Sequence, residues 1–267
     1  MRIGIYQFAP EFGNIPGNLD RIEKAINGAD ADLIVLPELC TTGYQFISAD
    51  EVQSLAEPAL DGATVRRLES LCKKNRFLLV AGIAESADGA CYNSSVLIGP
   101  DGWIGTYRKV HLFWEEKLWF KPGNLGFGVW DVGSAKLGMM ICFDWIFPES
   151  ARTLALAGAD IICHPSNLVL PYCPDAMITR SIENRVFSAT ANRVGSESRG
   201  GKTTLNFIGN SEVVSVKGEI LLRLGDREEN LRIVEINPAL ARDKRITEIN
   251  DLFKDRRPAE YLLEQRD

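Results

Sequence analysis

Asp32-Leu33-Ile34-Val35-Leu36-Pro37-Glu38 is the most informative stretch of this sequence. Its apolar residues are consecutive rather than alternating with polar ones, which indicates a strand buried on both faces. A similar stretch follows at residues 158–165, where Gly-Ala-Asp-Ile-Ile-Cys-His-Pro again places an acidic residue and an apolar run before a proline. The pair hints at an internal two-fold similarity between the halves of the chain, and a chance resemblance explains it equally well.

The rest of the chain alternates between strand and helix patterns. Apolar runs predict strands at residues 2–8, 32–36, 77–83, 136–141, 161–163, 186–193 and 231–236, and helical spacing predicts helices at 18–27, 64–75, 149–157 and 175–185. Turn signals at residues 99–102 and 217–218 add two β-hairpins. This mixture predicts an α/β fold in which mixed sheets are covered by outer helices. No linker rich in proline or serine interrupts it, so residues 1–267 are predicted to form a single domain.

The composition disfavours several classes of function. The chain has 267 residues, of which 45% are hydrophobic and 25% charged, as is usual for a globular protein. Its 30 Lys and Arg residues against 36 Asp and Glu give a net charge of −6, so we expect no binding to nucleic acid or to an anionic membrane. The sequence contains no run of 18 apolar residues and no signal-peptide pattern. We therefore expect a cytoplasmic protein.

The six cysteines do not form a metal-binding pattern. None of them belongs to a Cys-x-x-Cys pair, and Cys163 and His164 are adjacent, which is a poor spacing for binding one metal ion. We therefore expect no metal site, and in the cytoplasm we expect the cysteines to be reduced.

Three segments place a reactive side chain at the end of an apolar run, where open α/β sheets carry their binding sites. Glu38 ends the first, Lys109 lies in the segment after the first hairpin, and Cys142 stands where a strand runs into a helix that begins near Pro148. A thiol near the positive end of a helix is expected to favour the thiolate. Each segment also has a purely structural explanation: an exposed strand end, a solvated basic edge and a buried structural cysteine.

Taken together and in this order, the three segments resemble those of the nitrilase superfamily of carbon–nitrogen hydrolases. That family has a Glu in a Pro-Glu pair, a Lys in an Arg-Lys-x-His-Leu segment and a Cys in a Cys-x-Asp-x-x-x-Pro-Glu segment, which here are Glu38, Lys109 and Cys142. Further matching text stands at residues 42–44, 120–123 and 164–167 (Thr-Gly-Tyr, Phe-Lys-Pro-Gly and His-Pro-Ser-Asn). The resemblance covers most of the chain. It implies a four-layer α-β-β-α sandwich that pairs into homodimers or larger assemblies.

The resemblance also implies a mechanism. Cys142 would be the nucleophile that attacks a carbonyl or nitrile carbon, Glu38 would take its proton, and Lys109 would stabilise the negative charge that develops. Glu38 would need an enclosed position that raises its pKa, because an ordinary carboxylate is a poor base. No metal ion and no organic cofactor takes part in such a reaction.

A second glutamate and three pocket residues complete the predicted site. Glu115 and Glu116 both lie in the segment that follows the lysine. We choose Glu116 because the segment it opens, Glu-Lys-Leu-Trp-Phe, matches the family's sequence motif before Pro-Gly. Its role would be to orient the lysine and the substrate. For substrate binding we expect the backbone N–H of Phe143, which would also help to hold the oxyanion, and the side chains of Trp145 and Asn167.

The predicted reaction is the hydrolysis of a small amide or carbamoyl compound with release of ammonia. Phe143-Asp144-Trp145 resembles amidases and carbamoylases, whereas strict nitrilases usually have Trp-Glu after the cysteine, so hydrolysis of an aliphatic nitrile is the alternative. The Glu-Lys pair at residues 116–117 also resembles N-carbamoylputrescine hydrolases. Ile146 and Phe147 stand where carbamoylases for amino acids have arginines. A neutral or aliphatic substrate is therefore expected, with Arg180 as a remaining source of charge.

Two interpretations from other classes stay open. A catalytically silent relative that acts as a binding or scaffold protein is disfavoured by the intact Glu38, Lys109 and Cys142. A Cys–His dyad of protease type, formed with His111 or His164, is disfavoured because the family pattern gives His111 a structural hydrogen-bonding role.

The end of the chain combines charge with apolar residues. Residues 243–267 carry Ile246, Ile249, Leu252 and Phe253 among many charged side chains. Such apolar residues are costly to leave exposed, which predicts a C-terminal oligomerisation tail and at least a homodimer. A helix folded back on the same domain explains them as well.

Overall fold

The computed structural model describes residues 1–261. In this range the helices are Ile15–Ile26 (α1), Ala49–Leu55 (α2), Ala63–Asn75 (α3), Glu116–Trp119 (α4), Pro148–Leu156 (α5) and Cys173–Asn184 (α6). The strands are Arg2–Gln7 (β1), Leu33–Val35 (β2), Leu78–Ala87 (β3), Ala90–Gly99 (β4), Gly102–Arg108 (β5), Val129–Asp131 (β6), Lys136–Met139 (β7), Ile161–Pro165 (β8), Phe187–Ala191 (β9), Ser196–Glu197 (β10), Leu205–Asn206 (β11), Glu212–Val214 (β12), Ile220–Arg223 (β13) and Asn230–Glu235 (β14). Short 3-10 turns occupy Cys142–Ile146, Pro238–Ala241 and Pro258–Glu260.

In the described part of the chain, two six-stranded sheets have the same topology. The first runs β14-β1-β2-β3-β4-β5 and the second β6-β7-β8-β9-β12-β13. In each, the second, third and fourth strands are parallel, and the strands on both sides of them are antiparallel. The strand after residues 28–32 and the strand after residues 158–160 occupy equivalent places, third in their sheets. This correspondence supports the two-fold similarity that the sequence hints at.

The continuous apolar run at residues 33–36 reflects a sheet covered on both faces. Leu33 and Val35 belong to the core between the two sheets, whereas Ile34 and Leu36 belong to the core beneath α1 and α3. Successive strand residues point to opposite faces, so a strand between two cores needs apolar residues at every position. The second sheet packs against α5 and α6 on its outer face. The layers are therefore α-β-β-α, as predicted.

Two observed element boundaries differ from the predicted ones. The first helix begins at Ile15 rather than at residue 18, because Asn14 caps it: its Oδ1 accepts a hydrogen bond from Gly17 N at 3.0 Å. The strand predicted at 136–141 ends at Met139, since the chain turns into the 3-10 segment that begins at Cys142. The short elements α2, α4, β6, β10 and β11 have no counterpart among the predicted elements.

The C-terminal segment lies partly on its own domain. Phe253 is half-buried, with Arg152 and Lys244 over its ring at 5.5 and 5.0 Å. Ile246 and Ile249 remain 54% and 88% exposed. Residues 262–267 of the predicted tail lie outside the described residues. Among the helices of residues 1–261, none is long and apolar enough to cross a membrane.

Candidate active site

Four residues predicted from separate segments meet between the two sheets. Glu38 follows β2, Lys109 follows β5, Glu116 opens α4, and Cys142 opens the 3-10 turn after β7. Lys109 Nζ donates hydrogen bonds to Glu38 Oε1 at 2.6 Å and to Glu116 Oε1 at 2.7 Å. The strands β2 and β7 each belong to the parallel centre of their sheet, and the residues that follow them lie close enough for the charge of Glu38 to raise the pKa of the Cys142 thiol.

The cluster is enclosed. Glu38 and Lys109 are 0% exposed, Glu116 is 4% exposed and Cys142 is 5% exposed. Two carboxylates and an ammonium group in such a position lose their hydration, and the attraction between them only partly offsets that loss. Costly buried charges next to a thiol are typical of a reactive site rather than of a structural core.

The surroundings of Glu38 make it a stronger base than an ordinary carboxylate. Burial raises its pKa to about 7, with the ammonium of Lys109 lowering it and the charge of Glu116 raising it. Asn93 Nδ2 donates to Glu38 Oε1 at 2.7 Å. The other oxygen, Oε2, is buried and has no hydrogen-bond partner within residues 1–261. One oxygen of this carboxylate is therefore held while the other is free to react.

Lys109 stays protonated in spite of its burial. Burial alone lowers its pKa, but the carboxylates of Glu116 and Glu38 outweigh this effect and raise the pKa above its usual value. The group therefore remains a fixed positive charge beside the thiol.

Cys142 is held as a neutral thiol. Burial, followed by the charge of Glu38, raises its pKa well above the usual value, although Lys109 and the backbone N–H of Asn167 lower it. The expectation that a helix end favours the thiolate is therefore wrong: α5 begins only at Pro148, and burial outweighs the local effect. The residue has a φ of 41°, in the left-handed region that is costly for a side chain other than glycine.

A hydrogen-bonded frame holds the turn that carries the thiol. Asp144 Oδ2 accepts from Ile141 N at 2.8 Å and from Tyr107 Oη at 2.7 Å, and Asp144 Oδ1 lies 2.8 Å from His111 Nδ1. His164 Nε2 lies 2.9 Å from the backbone carbonyl oxygen of Cys142. Burial lowers the pKa of His164 to about 4, so its ring is neutral and donates to that carbonyl. Both histidines thus bond to backbone or carboxylate partners, which disfavours a Cys–His dyad.

Tyr44 and Asn93 belong to the cluster, and sequence reasoning assigned them no role. Tyr44 Oη donates to Glu116 Oε1 at 2.6 Å, while its backbone N–H donates to the buried carboxylate of Glu197 at 3.1 Å. Glu197 in turn forms a buried ion pair with Arg193. The sequence did contain signals for both residues. Tyr44 lies in the Thr-Gly-Tyr motif, and Asn93 opens a polar run in an otherwise apolar strand.

A narrow pocket opens over the thiol. Its lining comprises Cys142, Asn167, Trp145 and the apolar residues Phe113, Phe143, Leu168, Val169 and Leu170. The three predicted substrate-binding residues thus lie there. Arg180 does not line it, since its guanidinium donates to the carbonyl oxygen of Trp145 at 3.2 Å and pairs with Glu183.

The sequence also raised the questions of whether Glu115 belongs to the site and whether a metal ion does. Glu115, the glutamate that we did not choose, pairs with Lys202 at 2.8 Å, and its side chain is 27% exposed. Across residues 1–261, no group of three or more His, Cys, Asp or Glu side chains is placed to hold a metal ion.

Comparison with known proteins places the chain in a family. The model of the family described as carbon-nitrogen hydrolase matches residues 2–246. A protein named nitrilase from Pyrococcus abyssi is 47% identical over 98% of this chain and 99% of its own length. N-carbamoylputrescine amidase from Solanum tuberosum is 31% identical over 91% of this chain and 87% of its own length. A solved structure of a mutant amidase from Nesterenkonia sp. AN1, with the acetamide moiety of fluoroacetamide added covalently at its active-site cysteine, superposes with a TM-score of 0.79 at 27% identity over 97% of this chain and 94% of that one. The chain is therefore an enzyme of the carbon–nitrogen hydrolase family, within the nitrilase superfamily.

Proposed function

We propose that this enzyme hydrolyses a small amide or carbamoyl compound through a thioester at Cys142 and releases ammonia. The observation that carries the proposal is the buried arrangement of Glu38, Lys109 and Glu116 beside a buried thiol, with Lys109 Nζ 2.6 and 2.7 Å from the two carboxylates. It supplies a nucleophile, a base and a fixed positive charge without a metal ion.

In the first step Glu38 takes the proton of the Cys142 thiol as the sulfur attacks the substrate carbon. The thiol has kept its proton because burial raises its pKa well above the usual value. Burial raises the pKa of Glu38 to about 7, close to neutral pH, where a general base combines availability with strength. The Cys142 thiolate therefore forms only at the moment of attack, when Glu38 removes the proton from the thiol.

Lys109 stabilises the oxyanion of the tetrahedral species. An ammonium group has three N–H donors, and Glu38 and Glu116 accept two of them, so one is left for the developing negative charge. The backbone N–H of Phe143 is the second donor. Glu116 holds the lysine in place and is itself held by Tyr44.

Collapse of the tetrahedral species breaks the carbon–nitrogen bond. The leaving nitrogen takes the proton from Glu38 and departs as ammonia, which leaves the acyl group bound to Cys142 as a thioester. Glu38 then removes a proton from water, whose oxygen attacks the thioester carbonyl. Release of the acid returns that proton to the sulfur, so the three side chains end as they began.

The pocket favours an uncharged acyl group. Its lining carries no charged side chain and is mostly apolar, and burial of a charged group against such a lining is costly. Arg180 is engaged with Glu183 and supplies no counter-charge to the pocket. A neutral aliphatic or aromatic substrate therefore fits better than one that carries an ammonium or carboxylate group.

Hydrolysis of a nitrile is the second candidate, because the Pyrococcus abyssi relative at 47% identity carries the name nitrilase. The same thiol would attack the nitrile carbon, and one more water would enter before the thioester forms.

An ammonia-release screen of amides, ureido compounds and nitriles tests the proposal. We expect turnover of a neutral amide or ureido compound by the parent enzyme and none by Cys142→Ala. Cys72→Ala is the matched control, since Cys72 is a buried free cysteine in α3, outside the cluster. Activity retained in Cys142→Ala would contradict the covalent mechanism.

We also propose a homodimer or larger homo-oligomer that uses the C-terminal segment. Ile246 and Ile249 are large apolar residues exposed by 54% and 88%. Their burial by a second copy would remove apolar surface from water.

A further inference from the structure

We infer that Asn167 makes the enzyme select substrates whose nitrogen carries hydrogen: its Oδ1 accepts a hydrogen bond from the N–H group of the amide or ureido nitrogen that leaves. The inference rests on the proposed function and deepens it, because it separates amides from nitriles.

The orientation of the Asn167 side chain is fixed by its neighbours. Its Nδ2 donates to the backbone carbonyl oxygen of Glu38 at 2.9 Å. A carbonyl oxygen accepts hydrogen bonds and does not donate them, so the nitrogen faces Glu38 and the oxygen faces away. The residue is 3% exposed, and Oδ1 has no hydrogen-bond partner within residues 1–261. A buried acceptor without a donor is costly, which points to a donor that the substrate brings.

Asn167 also stands at the reacting atoms. Its backbone N–H is close enough to the sulfur of Cys142 to lower the pKa of that thiol. Among the eight residues that line the pocket, Asn167 is the one with a side-chain oxygen, and the other polar groups are the thiol and the indole N–H of Trp145. The inference places the leaving nitrogen of a substrate bound at the sulfur beside Oδ1, the one side-chain oxygen of this lining.

Two other buried acceptors in this part of the molecule lack donors as well. Glu38 Oε2 and Asn93 Oδ1 have no partner within the described residues, and Asn93 Nδ2 is bound to Glu38 Oε1. The cluster thus offers unpaired acceptors, which suit a primary amide or ureido group with its two N–H bonds. A nitrile nitrogen has no hydrogen to donate, so the amide oxygens of Asn167 and Asn93 would stay unpaired.

An unpaired acceptor at Asn167 would make the enzyme prefer amides to nitriles. A site built to bind a substrate N–H or O–H discriminates against analogues without it by about 10⁴–10⁵-fold, because its buried polar groups stay unpaired. We therefore expect kcat/KM of the parent enzyme to be much larger for a primary amide than for the nitrile with the same carbon chain.

The test compares one short aliphatic amide with its matched nitrile in the parent enzyme, Asn167→Leu and Asn167→Asp. Leucine has a similar size but no acceptor, and aspartate keeps an oxygen at the same place. We expect the amide-to-nitrile ratio of kcat/KM to fall about 10-fold or more in Asn167→Leu and to stay within about threefold in Asn167→Asp. Both variants lose the bond to the Glu38 carbonyl, and this loss affects both substrates and cancels in the ratio.

Several results would overturn the inference. An unchanged ratio in a folded Asn167→Leu would make Asn167 a structural residue only, while amide turnover that needs Cys142 would leave the proposed function intact. A parent enzyme that prefers the nitrile, or that hydrolyses the N,N-dimethyl amide as fast as the primary amide, would also overturn it, whether or not the variants fold. Absence of turnover on both classes by the parent enzyme would refute the proposed function together with the inference.

Discussion

Replacement of Glu116 by glutamine is expected to remove most of the activity, whereas the same change at Glu115 is expected to leave it nearly unchanged. Glu116 is 4% exposed, and its Oε1 accepts hydrogen bonds from Lys109 Nζ at 2.7 Å and Tyr44 Oη at 2.6 Å. Glu115 pairs with Lys202 at 2.8 Å in a position where the side chains are 27% and 22% exposed. The substitution is identical at adjacent positions, so each variant is the control for the other.

The expected magnitude follows from burial. Removal of one partner from a buried ion pair costs about 3–5 kcal/mol, because the remaining charge stays out of water. A displaced Lys109 also loses its contact with the oxyanion, and loss of one such donor costs about 10²–10³-fold in kcat. We therefore expect kcat of Glu116→Gln to fall at least about 100-fold. An exposed ion pair contributes about 0–1 kcal/mol, so kcat of Glu115→Gln should stay within about threefold of the parent.

The pH dependence of ammonia release separates this role from a general loosening of the fold. The charge of Glu116 raises the pKa of Glu38, so its removal should move the acidic limb of kcat/KM to lower pH. Glu115→Gln should leave that limb in place. Equal losses in the two variants, a loss confined to Glu115→Gln, or an unmoved limb in Glu116→Gln would refute the assignment.

Three further predictions concern pH, packing and assembly. For the parent enzyme, kcat/KM should rise with pH through about 7, because Glu38 must be ionised to act as a base and burial raises its pKa to about 7; a profile that is flat there would speak against it. Gly82→Ala would place a Cβ 2.4 Å from the Cα of Glu38, so denaturant unfolding should show a loss of about 1–3 kcal/mol, together with a lower kcat. Gly225→Ala, whose Cβ meets nothing closer than 3.6 Å, should be nearly neutral, and equal effects would exclude the clash as the cause. Light scattering at micromolar concentration should give at least twice the mass of one chain, and a monomer would contradict the proposed assembly.

The fold was largely predictable because its main elements leave strong periodic signals. The run at residues 33–36 is apolar at every position because its strand lies between two cores, and the predicted helices show one apolar face to a sheet. Short elements such as α4 and β10 lack this signal, since two to four residues do not complete a period. Their positions depend on tertiary contacts instead.

The residues of the candidate site could be predicted only where they lie in recognisable sequence motifs. Glu38, Lys109 and Cys142 lie in segments with recognisable wording, but Tyr44 and Asn93 act through contacts between distant segments. Tyr44 meets Glu116 across 72 positions, and Asn93 meets Glu38 across 55. The thiolate expectation failed for a similar reason, because burial and neighbouring carboxylates set the pKa of the thiol and a local helix pattern does not reveal them.

The covalent intermediate at Cys142 is the central step of the proposed reaction. Mass spectrometry of the parent enzyme, acid-quenched during turnover of a small amide and digested with a protease, measures it directly. We predict an adduct on the peptide that contains Cys142, with an added mass equal to that of the substrate less ammonia, and no adduct in Cys142→Ala. Steady turnover in Cys142→Ala, or an adduct on a different cysteine of the parent enzyme, would contradict the mechanism.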